Sequence, residues 1–140
     1  MQISEGEGWR LQLAPQRRPY NALIGGRDWA VELNTQELCT LRRGVLTLLA
    51  QRLQLLACLM PQEELDLELD LSLPPAADGG ASSAGSLFVA LSGNAETWTL
   101  RFVLTPGDGS RAAEGAWSEA ASPALAAALE GLGDGAAEVI

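Results

Sequence analysis

Residues 34–61 read NTQELCTLRRGVLTLLAQRLQLLACLMP, the longest uninterrupted helical periodicity in the chain. Asn34 can cap the first turn, and Glu37 follows at the capping-box spacing. Pro61 lacks an amide hydrogen and disfavours helix at Met60, so the pattern predicts a helix over 35–60. That is about 26 residues, roughly 39 Å at 1.5 Å per residue. On a 3.6-residue period Leu38, Leu41, Val45, Leu48, Leu49, Leu55, Leu56 and Leu59 form one apolar arc, which Leu46, Leu53 and Met60 widen. Gln36, Arg43, Thr47, Gln51 and Gln54 form the wettable stripe. An arc this broad needs a sheet or a partner to cover it. Arg52 falls inside the arc. Either its stem packs while its head escapes past a sheet edge, or it makes a buried pair with a carboxylate such as Glu32, or it binds an anion.

Alternating segments flank this helix. Upstream, Gly8 to Leu13, Asn21 to Ile24 and Asp28 to Leu33 read as three strands, with Trp9, Leu11, Leu13, Trp29, Val31 and Leu33 inward. Gly25-Gly26 with Arg27-Asp28 reads as a hairpin turn at positive φ. The loop APQRRPY, residues 14–20, carries Arg17, Arg18 and Tyr20. Downstream, ELDLELDLSL (64–73) puts five leucines on one face and Asp66, Glu68, Asp70 and Ser72 on the other, a solvated acidic face rather than a metal cage. Residues 74–86, PPAADGGASSAGS, read as a flexible linker dividing the chain. Strands follow at 87–91, 97–105 and 112–117. Ser122 and Pro123 then start a closing helix that Gly133 ends.

These elements predict an α+β fold. Antiparallel sheets form two β(3–4)-α halves, about 8–61 and 63–133, each with a helix packed on it, in a single domain of 140 residues. Both halves lead a Trp-bearing strand into a capped helix, as an internal repeat would.

Composition narrows the function classes. No run of about 18 apolar residues exists, so no membrane span is expected. The acidic start MQISEGEGW lacks the apolar core of a secretory signal. Cys39 and Cys58 lie about 28 Å apart on one helix, beyond disulfide reach, which suits a cytoplasmic protein. There is no His and no Lys, which removes the commonest general base and zinc ligand. No nucleophile elbow, phosphate loop or dinucleotide fingerprint appears, and neither an enzyme nor a cofactor is expected. The net charge of −9 disfavours broad nucleic-acid binding. Its distribution is uneven, though: residues 1–52 hold seven Arg against five acids, and the remainder two against thirteen.

The motifs GWR, LIGG-x-DWA-x-EL-x-x-x-E before the long helix, and AEG-x-W before the closing one resemble a small family of uncharacterised cyanobacterial proteins. That family is similar in fold to the Whirly and transcriptional-coactivator group of single-stranded-DNA-binding domains, built from two β4-α units. The resemblance implies a cytoplasmic protein of no assigned activity.

The expected function is therefore that of a non-catalytic protein-interaction or regulatory module with an unidentified protein partner. The broad apolar arc leaves a homodimer open. Single-stranded nucleic-acid binding is the alternative, through an Arg-rich patch in the first third. Anion, nucleic-acid or partner contacts are expected from Arg10, Arg17, Arg18, Tyr20, Arg27 and Arg52.

Overall fold

The computed structural model describes residues 1–74, 85–107 and 109–139, with side chains as far as residue 132. Four strands, β1 (Gln2–Gly6), β2 (Trp9–Leu13), β3 (Ala22–Gly25) and β4 (Ala30–Leu33), form an antiparallel meander that leads into α1 (Thr35–Leu56). A second meander of β5 (Leu65–Leu73), β6 (Gly85–Gly93), β7 (Trp98–Thr105) and β8 (Ala113–Trp117) leads into α2 (Ala121–Val139). The fold is α+β, two four-stranded sheets each with a helix packed on it.

Three strands were expected before α1, and there are four. β1 pairs with β2 from Gln2↔Leu13 to Gly6↔Trp9. It lies at the sheet edge, and QISEG is almost wholly exposed, with Ile3 at 52%. A strand that buries neither face leaves no alternation to read. The Gly25-Gly26 turn also departs from expectation, because neither glycine takes a positive φ. Glycine is needed at position 26 for another reason: a Cβ there would collide with the Trp29 indole. Trp29 itself lies in that turn, ahead of β4.

The expected linker does not divide the chain. Leu73 pairs with Gly85, so this segment connects neighbouring strands within the second sheet. Of the expected linker, residues 75–84 lie outside the described residues.

α1 stops at Leu56, four residues short of the expected end. The chain tightens there, and the Cys58 and Leu59 amides donate three residues back, to the carbonyls of Leu55 and Leu56. At its start both capping-box bonds form: the Glu37 amide donates to Asn34 Oδ1 (2.8 Å) and the Asn34 amide to Glu37 Oε1 (2.9 Å). For α2, Ser118 rather than Ser122 caps, accepting from the Ala121 amide at 3.1 Å. Ser122 is fully buried; its hydroxyl accepts from the Leu100 amide (2.9 Å) and ties the helix to β7. α2 also continues past Gly133 to Val139.

Helices and sheets are exchanged between the halves. α1 packs on β5 and β6 of the second sheet, while α2 packs on β2 of the first and on β7. Gly44 makes this approach close: a Cβ there would lie 2.7 Å from Leu71 Cδ1 and 2.9 Å from Val89 Cγ2. Arg42 joins the helices, its Nε donating to the Leu129 carbonyl at 2.9 Å. The core draws Leu38, Leu41, Val45 and Leu48 from α1, Leu125 and Leu129 from α2, and Leu11, Ile24, Leu91, Leu100, Phe102 and Leu104 from both sheets. Each such side chain contributes about 1.5–3 kcal/mol by leaving water.

Aromatic rings close the seam between the sheets. Trp29, Phe102 and Trp117 lie 5.2–5.7 Å apart, centroid to centroid, and Trp117 Nε1 donates to the Gly25 carbonyl at 2.9 Å. Gly115 leaves room for the Trp29 ring, which would lie 2.6 Å from a Cβ at that position.

Candidate interaction surface

The meander topology fixes where each sequence-predicted contact residue can lie. The β2–β3 loop is at one end of the first sheet, and the β1–β2 and β3–β4 turns are at the other. Arg17, Arg18 and Tyr20 therefore stand at the first end, and Arg10 and Arg27 at the second. Arg52 lies elsewhere, beside the β6–β7 turn. The six residues do not converge into a single basic patch.

Their heads are also engaged. Arg10 meets Glu5, its register partner on β1, at 3.3 Å, and Arg27 meets Glu7 at 3.6 Å. Arg17 Nη2 donates to Glu32 Oε2 at 2.9 Å. Arg18 donates to the carbonyls of Pro15 and Arg17, folding back on its own loop. Arg52 is half-buried, its Nη2 donating to the Ala95 carbonyl at 2.9 Å with its guanidinium 5.5 Å from the Trp98 ring centroid. The expectations of an escaping head or a Glu32 pair both give way to this latch, because Glu32 is held by Arg17 and the sheet end presents carbonyls. Tyr20, the expected stacking ring, is covered by Arg111 at 4.1 Å.

Arg111 was not singled out by the sequence, and its environment is the most organised polar site among the described residues. It makes two bonds to the buried Glu37 carboxylate, at 2.9 and 3.2 Å, and donates to the Glu32 carbonyl at 3.1 Å. Glu37 thereby serves the helix cap and the β7–β8 loop together. Nearby, buried Asn21 donates to Thr35 Oγ1 at 2.7 Å. No spacing signal marks Arg111, since it reaches Glu37 across 74 residues of chain. A cavity of about 320 Å³ adjoins this region, lined by Met1, Ala14, Pro15, Gln16 and Arg17. Its one charged side chain, Arg17, already faces Glu32.

The other distinctive surface is apolar. After Leu48 no residue of α1 is buried. Gly44 sits over Leu71 and Val89, and Arg52 is already level with the β6–β7 turn, so the helix then runs past the end of the sheet. Leu53 is 70% exposed, Leu55 39% and Met60 69%, while Leu46, Leu49, Leu56 and Leu59 are half-buried. The predicted broad arc thus divides into a sealed first half and a partly covered second half, in which Leu49 and Leu59 still pack against the core. Asp66, Glu68 and Asp70 line the exposed face of β5, with Arg101 4.0 Å from Glu68. Among the described residues no cluster of three or more His, Cys, Asp or Glu is placed to hold a metal ion, and no helix is long and apolar enough to cross a membrane.

Residues 4–132 match the family described as Domain of unknown function (DUF1818). The chain belongs to that family. It is also similar to the crystal structure of a protein with unknown function from Prochlorococcus sp. NATL2A, described as of the DUF155 family. The identity is 29% and the TM-score 0.79, over 96% of this chain and 100% of the other. No curated protein matches the chain. The family and the neighbour carry no assigned function, so neither supplies a role for the uncovered helix end.

Proposed function

We propose that this DUF1818 chain is a non-catalytic interaction module that binds a protein partner through the distal end of α1. One observation carries the reading: Leu53, on the distal part of a helix whose first half is sealed in the core, and Met60, four residues past its end, stand 70% and 69% exposed. Covering such side chains would contribute about 1.5–3 kcal/mol each toward association. The order β4-α-β4-α supports a likeness to Whirly-type domains, and the Prochlorococcus relative supports a cyanobacterial origin. Likeness of fold does not carry DNA binding with it. Against that alternative stand the net charge of −9, the scattering of the arginines, and the Arg111 guanidinium over Tyr20.

Two measurements test the reading. A labelled single-stranded oligonucleotide, titrated at low and at physiological salt, is expected to show no saturable binding. Binding that weakens steeply with salt and vanishes in an Arg17→Ala/Arg18→Ala variant would replace this proposal with nucleic-acid recognition. In parallel, Leu53→Glu is expected to abolish whatever association the wild-type chain shows, with itself or with a protein of native extract.

A further inference from the structure

We infer that the outer edge of β5 is a docking site for an extended, lysine- or arginine-bearing segment of a protein partner, which adds to the second sheet as a further strand. The inference rests on the interaction reading above in taking the partner to be a protein, and it gives that partner a second contact beside the α1–β5 connection. β5 ends the strand order of the second sheet and, among the described residues, pairs with β6 alone. Its ladder runs from Leu65↔Gly93 to Leu73↔Gly85 with no residue skipped, so no bulge twists the edge away. Every second residue of such a strand turns its N–H and C=O outward, towards the place of a further strand. From 65 to 73 there is no proline, no lysine and no charge on the core side to obstruct one. The core side is open along this edge: Leu67, Leu69 and Leu71 pack on the core yet remain half-buried. Apolar side chains of an added strand would cover them.

Charge selects the occupant. On the opposite face Asp66, Glu68 and Asp70 are exposed, and the register carries this acidic ground across the sheet, from Asp70 through Phe88 and Val103, to the exposed Glu114. Arg101 is the one cation on this face of the four strands; it stands over Phe88 at 5.1 Å and lies 4.0 Å from Glu68. Carboxylates therefore outnumber guanidinium here, and the surplus lies on the edge strand. A second copy of β5 is refused by the same row. In antiparallel registers that overlap most of the strand and keep leucine with leucine, carboxylate falls opposite carboxylate. A slip of one residue sets carboxylates against leucines instead. A segment with a basic side chain at every second position meets an acid at each step, while the apolar residues between fall on the leucine side. β1, at the edge of the first sheet, offers no such row, since Arg10 already meets Glu5 at 3.3 Å.

Fluorescence anisotropy with a labelled peptide of alternating valine and lysine, as long as β5, tests this on the intact chain at physiological salt. Saturable binding is expected, together with slower amide hydrogen exchange along β5. The matching valine–glutamate peptide is expected not to bind. Asp66→Lys/Asp70→Lys spares the contact between Arg101 and Glu68 and is expected to weaken binding by about tenfold or more. Circular dichroism confirms that the double variant folds. Absence of saturable binding, unchanged exchange along β5 in the bound state, or undiminished binding by the double variant overturns the strand-addition site. Leu53→Glu is expected to bind the peptide as the wild type does; loss of the peptide there would move it to α1 and overturn the β5 assignment too. The α1 reading fails separately, if Leu53→Glu keeps a protein that the wild-type chain captures.

Discussion

Glu37 has two roles, and removing its partners separates them. Its carboxylate closes the capping box with Asn34 and receives two bonds from Arg111 while almost entirely buried. Arg111→Ala strands that charge, and urea unfolding should show a loss of about 3 kcal/mol, near the lower end for breaking a buried pair. Asn34→Ala removes only a cap and should cost about 1 kcal/mol by the same measurement. If the two variants lose equal stability, the ion pair is no more than a surface contact. Gly44 offers a second test at this scale. Alanine normally stabilises a helix interior by about 0.5–1 kcal/mol over glycine. Here its methyl group would press on Leu71 and Val89, so Gly44→Ala is expected to destabilise by about 1–3 kcal/mol. The capping box was legible because it is local, three residues apart. Arg111 was not, because nothing near it in sequence records its partner.

α1 behaves as two segments in one element. Leu48 is fully buried, and Leu48→Ala should cost about 2–5 kcal/mol. Leu53, one turn and a residue further on, should tolerate Leu53→Gln within about 0.5 kcal/mol when measured on the monomer at high dilution. Comparable losses at both positions would mean that the distal half is packed, and the proposed surface would fall. Periodicity showed that both segments are apolar on one face. It could not show where the sheet beneath them ends. β1 illustrates the converse: an edge strand with neither face buried has no alternation, and only its pairing with β2 reveals it. The six predicted contact residues were recognisable by type, while their separation follows from which ends of the meander carry which turns.

For the molecule as a whole, the decisive feature is the exchange of helices between the two sheets and the aromatic seam that closes them. Trp29 comes from the first meander, Phe102 and Trp117 from the second. A double-mutant cycle of Trp29→Leu and Trp117→Phe should return a coupling of about 0.5–1.5 kcal/mol in chemical denaturation. Additive losses would show that the contact between the Trp29 and Trp117 rings does not help to hold the sheets together. The sequence by itself determined every element except β1, because period two, period 3.6, caps and turn residues act between near neighbours along the chain. It also determined the class, two α+β units in series, and the excess of apolar surface on the long helix. Tertiary structure alone decided which sheet each helix covers, that Arg111 meets Glu37, that Arg52 is spent on carbonyls, and that Leu53 and Leu55 are left exposed. Those outcomes depend on contacts between residues far apart in the chain, where close packing and charge pairing select among arrangements that local pattern leaves equal.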